Sequence, residues 1–168
     1  VVCTNRLASV LAQEFGTIER SRIYHVPYGT AVPECLPNPA SNERFIVGYS
    51  GRLEQKQKRI HDLPEIASLL KDRGLQFFFR IAGTGPEEEL LRAEVCRRRL
   101  ESEFEFLGFV PSERMSTEFY QRCNALLVPS TWETGPIVIW EAMANGLPVV
   151  SSRYIGSGQE RLLHDGQN

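Results

Sequence analysis

Short runs of β-branched and aromatic residues alternate with amphipathic helical stretches from residue 44 to residue 152, and few architectures accommodate that alternation. Parallel strands need long crossover connections, usually helices, so the pattern predicts a parallel sheet with helices on both faces. Strands are expected at Phe45–Ser50 and Phe77–Ala82, and over residues 104–110, 125–129 and 148–152. A helix over 61–73 carries Leu63, Ile66, Leu69 and Leu70, with Gly74 as its C-cap. The next opens on Glu87-Glu88-Glu89, where the helix dipole favours acid, and turns Leu90, Leu91, Val95 and Leu100 inward. A third starts at Pro111 with Met115, Phe119 and Tyr120 facing the core; a fourth spans 137–145, and a last turn spans 159–163. Upstream, residues 4–15 read as a helix through Leu7, Val10, Leu11 and Phe15, and residues 23–27 as a short strand. Residues 33–42 form a linker rich in Pro, Asn and Ser.

At 168 residues the chain is long enough for one well-buried domain. A formal net charge of −2 favours no bulk polyanion. The densest basic cluster, Arg97-Arg98-Arg99, sits among Glu94, Glu101 and Glu103 and reads as a solvated helix face rather than a nucleic-acid surface. The four cysteines (Cys3, Cys35, Cys96, Cys123) show no C-x-x-C pair and no metal spacing, so free thiols in a reducing, cytoplasmic setting are expected. No apolar run approaches the ~20 residues of a membrane span. The chain opens on Val1-Val2-Cys3-Thr4 without an initiator Met and reads as a fragment.

Ligands of open parallel sheets bind beyond the carboxyl ends of strands, where strand order reverses. If the strands at Phe45 and Ala125 flank that point, two charged segments follow them. In the first, Gly51 lets backbone approach a ligand, and Arg52 and Lys58 bracket a polar turn. A planar fork plus a mobile point charge suits a pyrophosphate; a solvated basic turn before a helix explains the same residues. In the second, Glu133 and Glu141 are separated by seven residues, with Gly135-Pro136 between them. Glu141 lies among Ala142, Met143 and Ala144, so its carboxylate needs a hydroxyl or a cation. Ligand hydroxyls and an internal salt bridge both answer that need. Trp132 and Trp140 read as packing residues. His25, His61 and His164 have no Ser or Cys partner in the pattern, and Gly83-Thr84-Gly85 lacks the glycine spacing of a dinucleotide site.

Taken together, the motifs resemble the C-terminal domain of the group 1, GT-B-type retaining glycosyltransferases. The matching segments are His25-Val26-Pro27-Tyr28-Gly29, Gly51-Arg52-Leu53 with Lys58, Ala82-Gly83-Thr84-Gly85-Pro86 and Phe106-Leu107-Gly108-Phe109-Val110. The most specific is Glu133-x7-Glu141 running on through Ala142-Met143-Ala144-Asn145-Gly146-Leu147-Pro148. The resemblance implies a Rossmann-like α/β domain over 43–168, shortened at its C-terminal end, preceded over 1–42 by the end of an N-terminal domain, a linker and an opening strand. It implies that Arg52 and Lys58 hold the diphosphate of a UDP- or GDP-sugar and stabilise it as it leaves. Glu133 would contact the donor sugar and Glu141 the ribose. Backbone at Gly135, Pro136, Ile137 and Val138 would meet phosphate or sugar oxygens, and Val110 would line the base pocket. No metal is required. The acceptor (sugar, lipid or other) would bind mainly to the N-terminal domain, the full-length protein would at most touch a membrane peripherally, and the isolated chain is expected to be inactive.

The sequence departs from that pattern at Gly135, where the family often has an aromatic residue, at Tyr28 in place of Asn, and over residues 154–160. A nucleotide-sugar epimerase-like domain, a Rossmann oxidoreductase and a non-catalytic sugar-nucleotide-binding module are the competing expectations.

Overall fold

A computed structural model of the chain describes residues 2–3, 14, 16, 20–26, 29–34, 44–155, 157 and 162–166. The helix expected over 4–15 falls outside these except at Glu14, which is helical; most of the linker and of the turn at 159–163 also fall outside them. Strands β1 (Val2–Cys3) and β2 (Tyr24–His25) pair in parallel as a separate two-stranded sheet.

Among the described residues the main sheet has five parallel strands: β3 (Phe45–Ser50), β4 (Phe77–Ala82), β5 (Phe104–Gly108), β6 (Ala125–Val128) and β7 (Val149–Ser151). Their spatial order is β5-β4-β3-β6-β7. The chain winds outward from β3 in one direction, returns to β3 and continues in the other. β3 is therefore paired on both edges, along its whole length with β4 and at Val47–Ala125 and Gly48–Leu126 with β6. The connections carry α1 (Gln55–Lys58), α2 (Asp62–Asp72), α3 (Glu88–Arg97), α4 (Ser112–Glu118) and α5 (Ile137–Ala144). This is the doubly wound, Rossmann-like α/β sheet that the alternating pattern predicts.

Two hydrophobic clusters form the core. One joins Tyr49, Phe79 and Ile81 to Leu63, Ala67, Leu91 and Val95, and stacks Phe79 on Phe104 at 4.9 Å between ring centroids. The other joins Leu126 and Val128 to Met115, Phe119, Tyr120, Ile139 and Ala142. Two inward assignments need correction, both by one position on a helix. Leu69 is 53% exposed and Leu90 is 60% exposed. In α2 the stripe runs through Leu63, Ile66, Ala67 and Leu70, and in α3 through Leu91 and Val95. At about 100° per residue, a neighbour of a stripe position points elsewhere. The basic cluster is a solvated face: Glu94 binds both Arg97 and Arg98, which lower its carboxyl to about 2. The lone charge in the apolar β4, Arg80, pairs with Glu105 of β5 at 2.7 Å.

Beyond the strand ends, loop packs on loop at backbone distance. The Gly51 N–H donates to Ala82 C=O and the Leu53 N–H to Thr84 C=O, both at 3.0 Å; the Gly83 N–H donates to Gly108 C=O at 2.7 Å. A Cβ on Gly83 would lie 2.0 Å from the Gly51 carbonyl oxygen, and one on Gly85 2.3 Å from that of Leu53. The Ala82–Pro86 motif thus holds the loop after β3 in place. β5 ends at Gly108 rather than at residue 110, because Gly108 takes φ 67° and leaves the strand conformation.

Gly83→Ala, with φ 132° and no room for a methyl, is expected to cost more than ~4 kcal/mol. Gly74→Ala, at φ 70° in open space, is expected to cost about 1 kcal/mol. Urea unfolding of the two variants checks the contrast; equal losses would refute tight backbone crossing at Gly83.

Candidate functional site

The loops after β3 and β6 meet above the sheet because their strands are neighbours. The first loop is short and fixed at both ends. Glu54 caps α1 by accepting the Gln57 N–H at 3.0 Å, and Arg59, at φ 51°, ends it. Gln57 then ties this loop to the second: its carbonyl accepts the Thr131 N–H at 2.8 Å, and its Nε2 donates to Trp132 C=O at 3.1 Å. Those bonds bring Lys58 Nζ to 2.7 Å from Glu133 Oε1. Glu133 is 4% exposed. Ser130 Oγ donates to the same oxygen at 2.6 Å, and Gln57 Nε2 approaches Oε2 at 3.5 Å. A carboxylate so deep in the protein is tolerated because a cation and hydroxyl and amide donors satisfy it.

Arg52 is exposed, and its guanidinium meets no partner among the described residues. Its backbone is anchored from below. Tyr49, buried in the core, donates its hydroxyl to the Arg52 carbonyl at 3.0 Å. Burial first, then the charges of Glu133 and Glu54, push the Tyr49 hydroxyl well above its ordinary range and keep it a neutral donor. The Gly51 N–H is held by the Ala82 carbonyl of β4, and a Cβ at Gly51 would touch the Tyr49 hydroxyl at 3.2 Å.

Glu141, on α5, takes a hydroxyl rather than a salt bridge: Tyr120 Oη donates to its Oε2 at 2.5 Å. One turn away Ser116 Oγ donates to Asn145 Oδ1 at 2.6 Å, while Asn145 Nδ2 donates back to the Glu141 carbonyl at 2.8 Å. At the start of α5, Gly135 has φ 116°, a conformation that disfavours any residue with a side chain. That accounts physically for glycine where the resembling family often carries an aromatic residue. Pro136 is buried, Ile137 is exposed and Val138 is half-buried. The N–H groups of Ile137 and Val138 have no acceptor among the described residues, as first-turn amides of a helix do not. The Val110 side chain packs on the second core cluster.

Of the residues singled out in the sequence, Lys58 and Glu133 are in direct contact, Arg52, Gly135 and Pro136 lie on the segments that carry them, and Ile137 and Val138 open α5. Glu141 is held by a different partner. The sequence reading missed Ser130, Gln57 and the polar role of Tyr120. Ser130 and Gln57 are close in sequence to Glu133 and Lys58, a cue that was there to use. Tyr120 gave none, since its position on a helical stripe marks it simply as core. Trp132, expected as packing, is 38% exposed, and Trp140 is half-buried.

The sequence profile described as "Glycosyl transferases group 1" matches residues 37–168. The 2-deoxystreptamine glucosyltransferase of Streptomyces kanamyceticus is 30% identical over 160 residues, covering 88% of this chain and 41% of that enzyme. Among solved structures, the pneumococcal O-GlcNAc transferase GtfA in complex with UDP and GlcNAc superposes with a TM-score of 0.76 at 21% identity, over 99% of this chain and 32% of that one. Anabaena Alr3699/HepE in complex with UDP and glucose gives a TM-score of 0.76 at 21% identity, over 99% and 47%. The chain thus spans less than half the length of each of these proteins.

Lys58→Met removes the cation from a buried carboxylate and is expected to lower stability by about 1–3 kcal/mol. Glu133→Gln added to it should restore part of that loss, because no uncompensated charge is left. Thermal unfolding of the single and double variants measures the coupling; strictly additive losses would mean that the two side chains do not interact in solution.

Proposed function

The chain belongs to the group 1 glycosyltransferases, and on that footing we propose that it forms the nucleotide-sugar donor site of a retaining transferase. The observation that carries the proposal is the Lys58–Glu133 contact, made across 75 residues of sequence beside the point where strand order reverses. Open parallel sheets bind nucleotides there. In this reading the domain spans 43–168 and residues 1–42 lead into it from an N-terminal domain. That domain supplies most of the acceptor site, whether the acceptor is a sugar, a lipid or another group, so the chain alone does not turn over.

The donor is a UDP- or GDP-sugar. Its diphosphate lies against Arg52 and Lys58, and the amides of Ile137 and Val138 at the start of α5 face the same anion. Glu141 accepts from the ribose, Glu133 from hydroxyls of the transferred sugar, and the backbone at Val110 borders the base. When the bond from the anomeric carbon to the diphosphate oxygen breaks, positive charge develops on the sugar ring and negative charge on the leaving group. Arg52 and Lys58 stabilise the leaving charge without a metal. The acceptor hydroxyl oxygen then bonds to the same face of the anomeric carbon, and its proton passes to the departing diphosphate oxygen. UDP in the complexes of GtfA and HepE supports the donor class. Among the described residues no helix is long and apolar enough to cross a membrane. In this reading the full-length enzyme is cytoplasmic and any membrane contact is peripheral.

In the structure Lys58 is paired with Glu133. Donor binding moves Lys58 onto the diphosphate and frees Glu133, still held by Ser130 and Gln57, for the sugar. A calorimetric titration with UDP, GDP and their sugar conjugates tests this. Arg52→Ala is expected to weaken the preferred diphosphate about 10-fold or more, the loss of one charged hydrogen bond. Glu133→Gln is expected to bind the bare diphosphate as tightly as the native chain or tighter, while losing the extra affinity that the sugar confers. Unchanged affinity in Arg52→Ala, or an intact sugar increment in Glu133→Gln, refutes these roles.

A further inference from the structure

The helix that presents Glu141 has an orientation problem that apolar packing does not solve. Apart from Glu141, α5 consists of Ile137, Val138, Ile139, Trp140, Ala142, Met143 and Ala144. A helix apolar on every side fits a hydrophobic layer in several rotations, since apolar burial is non-directional. Two polar rungs choose among them. Ser116 and Tyr120, four residues apart, face Asn145 and Glu141, also four apart, in antiparallel order. Gln121 Nε2 supports the outer rung by donating to Ser116 Oγ at 3.1 Å. The inner rung is the tighter: the Tyr120 hydroxyl is 2.5 Å from Glu141 Oε2, and Tyr120 is 2% exposed. Its ring packs edge-on against Phe119, with 5.1 Å between centroids.

We propose that Tyr120 is a positioning residue: its hydroxyl occupies one oxygen of Glu141, fixes the carboxylate and the rotation of α5, and so leaves the other oxygen as a directed acceptor for vicinal ribose hydroxyls. The inference rests on the reading of Glu141 as the ribose contact. Burial, and then the hydrogen bond to Glu141, hold the Tyr120 hydroxyl well above its ordinary range, so it stays a donor at neutral pH. A single oxygen held toward the ligand discriminates better than a carboxylate free to rotate, because little conformational freedom is left to lose on binding. The site thereby selects a ribonucleotide over a nucleotide without hydroxyls.

The experiment compares UDP with 2′,3′-dideoxy-UDP, or the corresponding GDP pair if that base is preferred, on the native chain and on Tyr120→Phe, Tyr120→Trp and Glu141→Ala. The native chain is expected to prefer the ribonucleotide by about 10-fold or more, the worth of one hydrogen bond to a charged group. Tyr120→Phe, which keeps the ring, is expected to cut that ratio at least 3-fold and to leave the dideoxy affinity within 2-fold of native. A merely structural role for Tyr120 lowers both affinities together and keeps the ratio, and that result overturns the proposal. Glu141→Ala separates this failure from failure of the underlying reading. If it abolishes the preference while Tyr120→Phe does not, Glu141 reads the ribose but Tyr120 does not position it. If Glu141→Ala leaves the preference intact, or the native chain shows none, both fall. If Tyr120→Phe does not fold, a slowly exchanging tyrosine hydroxyl proton that is lost in Glu141→Ala supports the contact, and its absence from the native chain overturns it.

Discussion

Pairing of β3 on both edges is the constraint from which the rest follows. A strand flanked by β4 and β6 and covered by helical layers on both faces has no solvent-facing edge, so its residues are nearly all apolar or small. The crossovers to its two neighbours run in opposite directions, so the loops leaving β3 and β6 diverge from a shared gap. Every charged residue of the proposed site lies on one of those loops or on the helix after β6. The site is less a set of residues than the place where a doubly wound sheet has to open.

What keeps that gap in shape is backbone rather than side chain. The loop after β3 is pinned to the loop after β4 by reciprocal amide bonds that only glycine at 83 and 85 allows. Gln57 pins the same loop to the segment after β6. Lys58 and Glu133 are thus held in register by groups that contribute no charge, and Arg52 projects from a carbonyl fixed by Tyr49. The protein spends few side chains on chemistry and many main-chain bonds on placing them, as the proposed diphosphate site requires for contact at hydrogen-bond distance.

The two glutamates illustrate different solutions to one difficulty, a carboxylate in poor solvent. Glu133 takes a cation, Lys58, with a hydroxyl and an amide in support. Glu141 takes a buried phenol. The first arrangement is exchangeable in the proposed reading, where a diphosphate competes for Lys58. The second is not, because Tyr120 is locked in the core. On the proposed donor-site reading, one carboxylate is released by the ligand it serves, and the other stands ready before the ligand arrives.

The order and type of the main-sheet strands and of the longer helices between them, the parallel sheet and the two charged segments were legible in the sequence; the strand Val2–Cys3 and the helix Gln55–Lys58, read as a turn, were not. Strand periodicity, glycine punctuation and the Glu133-x7-Glu141 run are local signals, and local signals survive without coordinates. Leu69 and Leu90 misled because an apolar residue beside a helical stripe looks like part of it until the helix is docked. The partners were not legible. Lys58 and Glu133 are 75 residues apart, Tyr120 and Glu141 are 21 apart, and no spacing rule connects either pair. Residue type established that Glu141 needed a partner; only packing the turn after α4, which carries Tyr120, against α5 decided that it is a hydroxyl. The sequence determines which groups cannot be left alone, since desolvation is a property of each residue in its own element. Which group answers each of them is decided in three dimensions, where the sheet brings distant loops together.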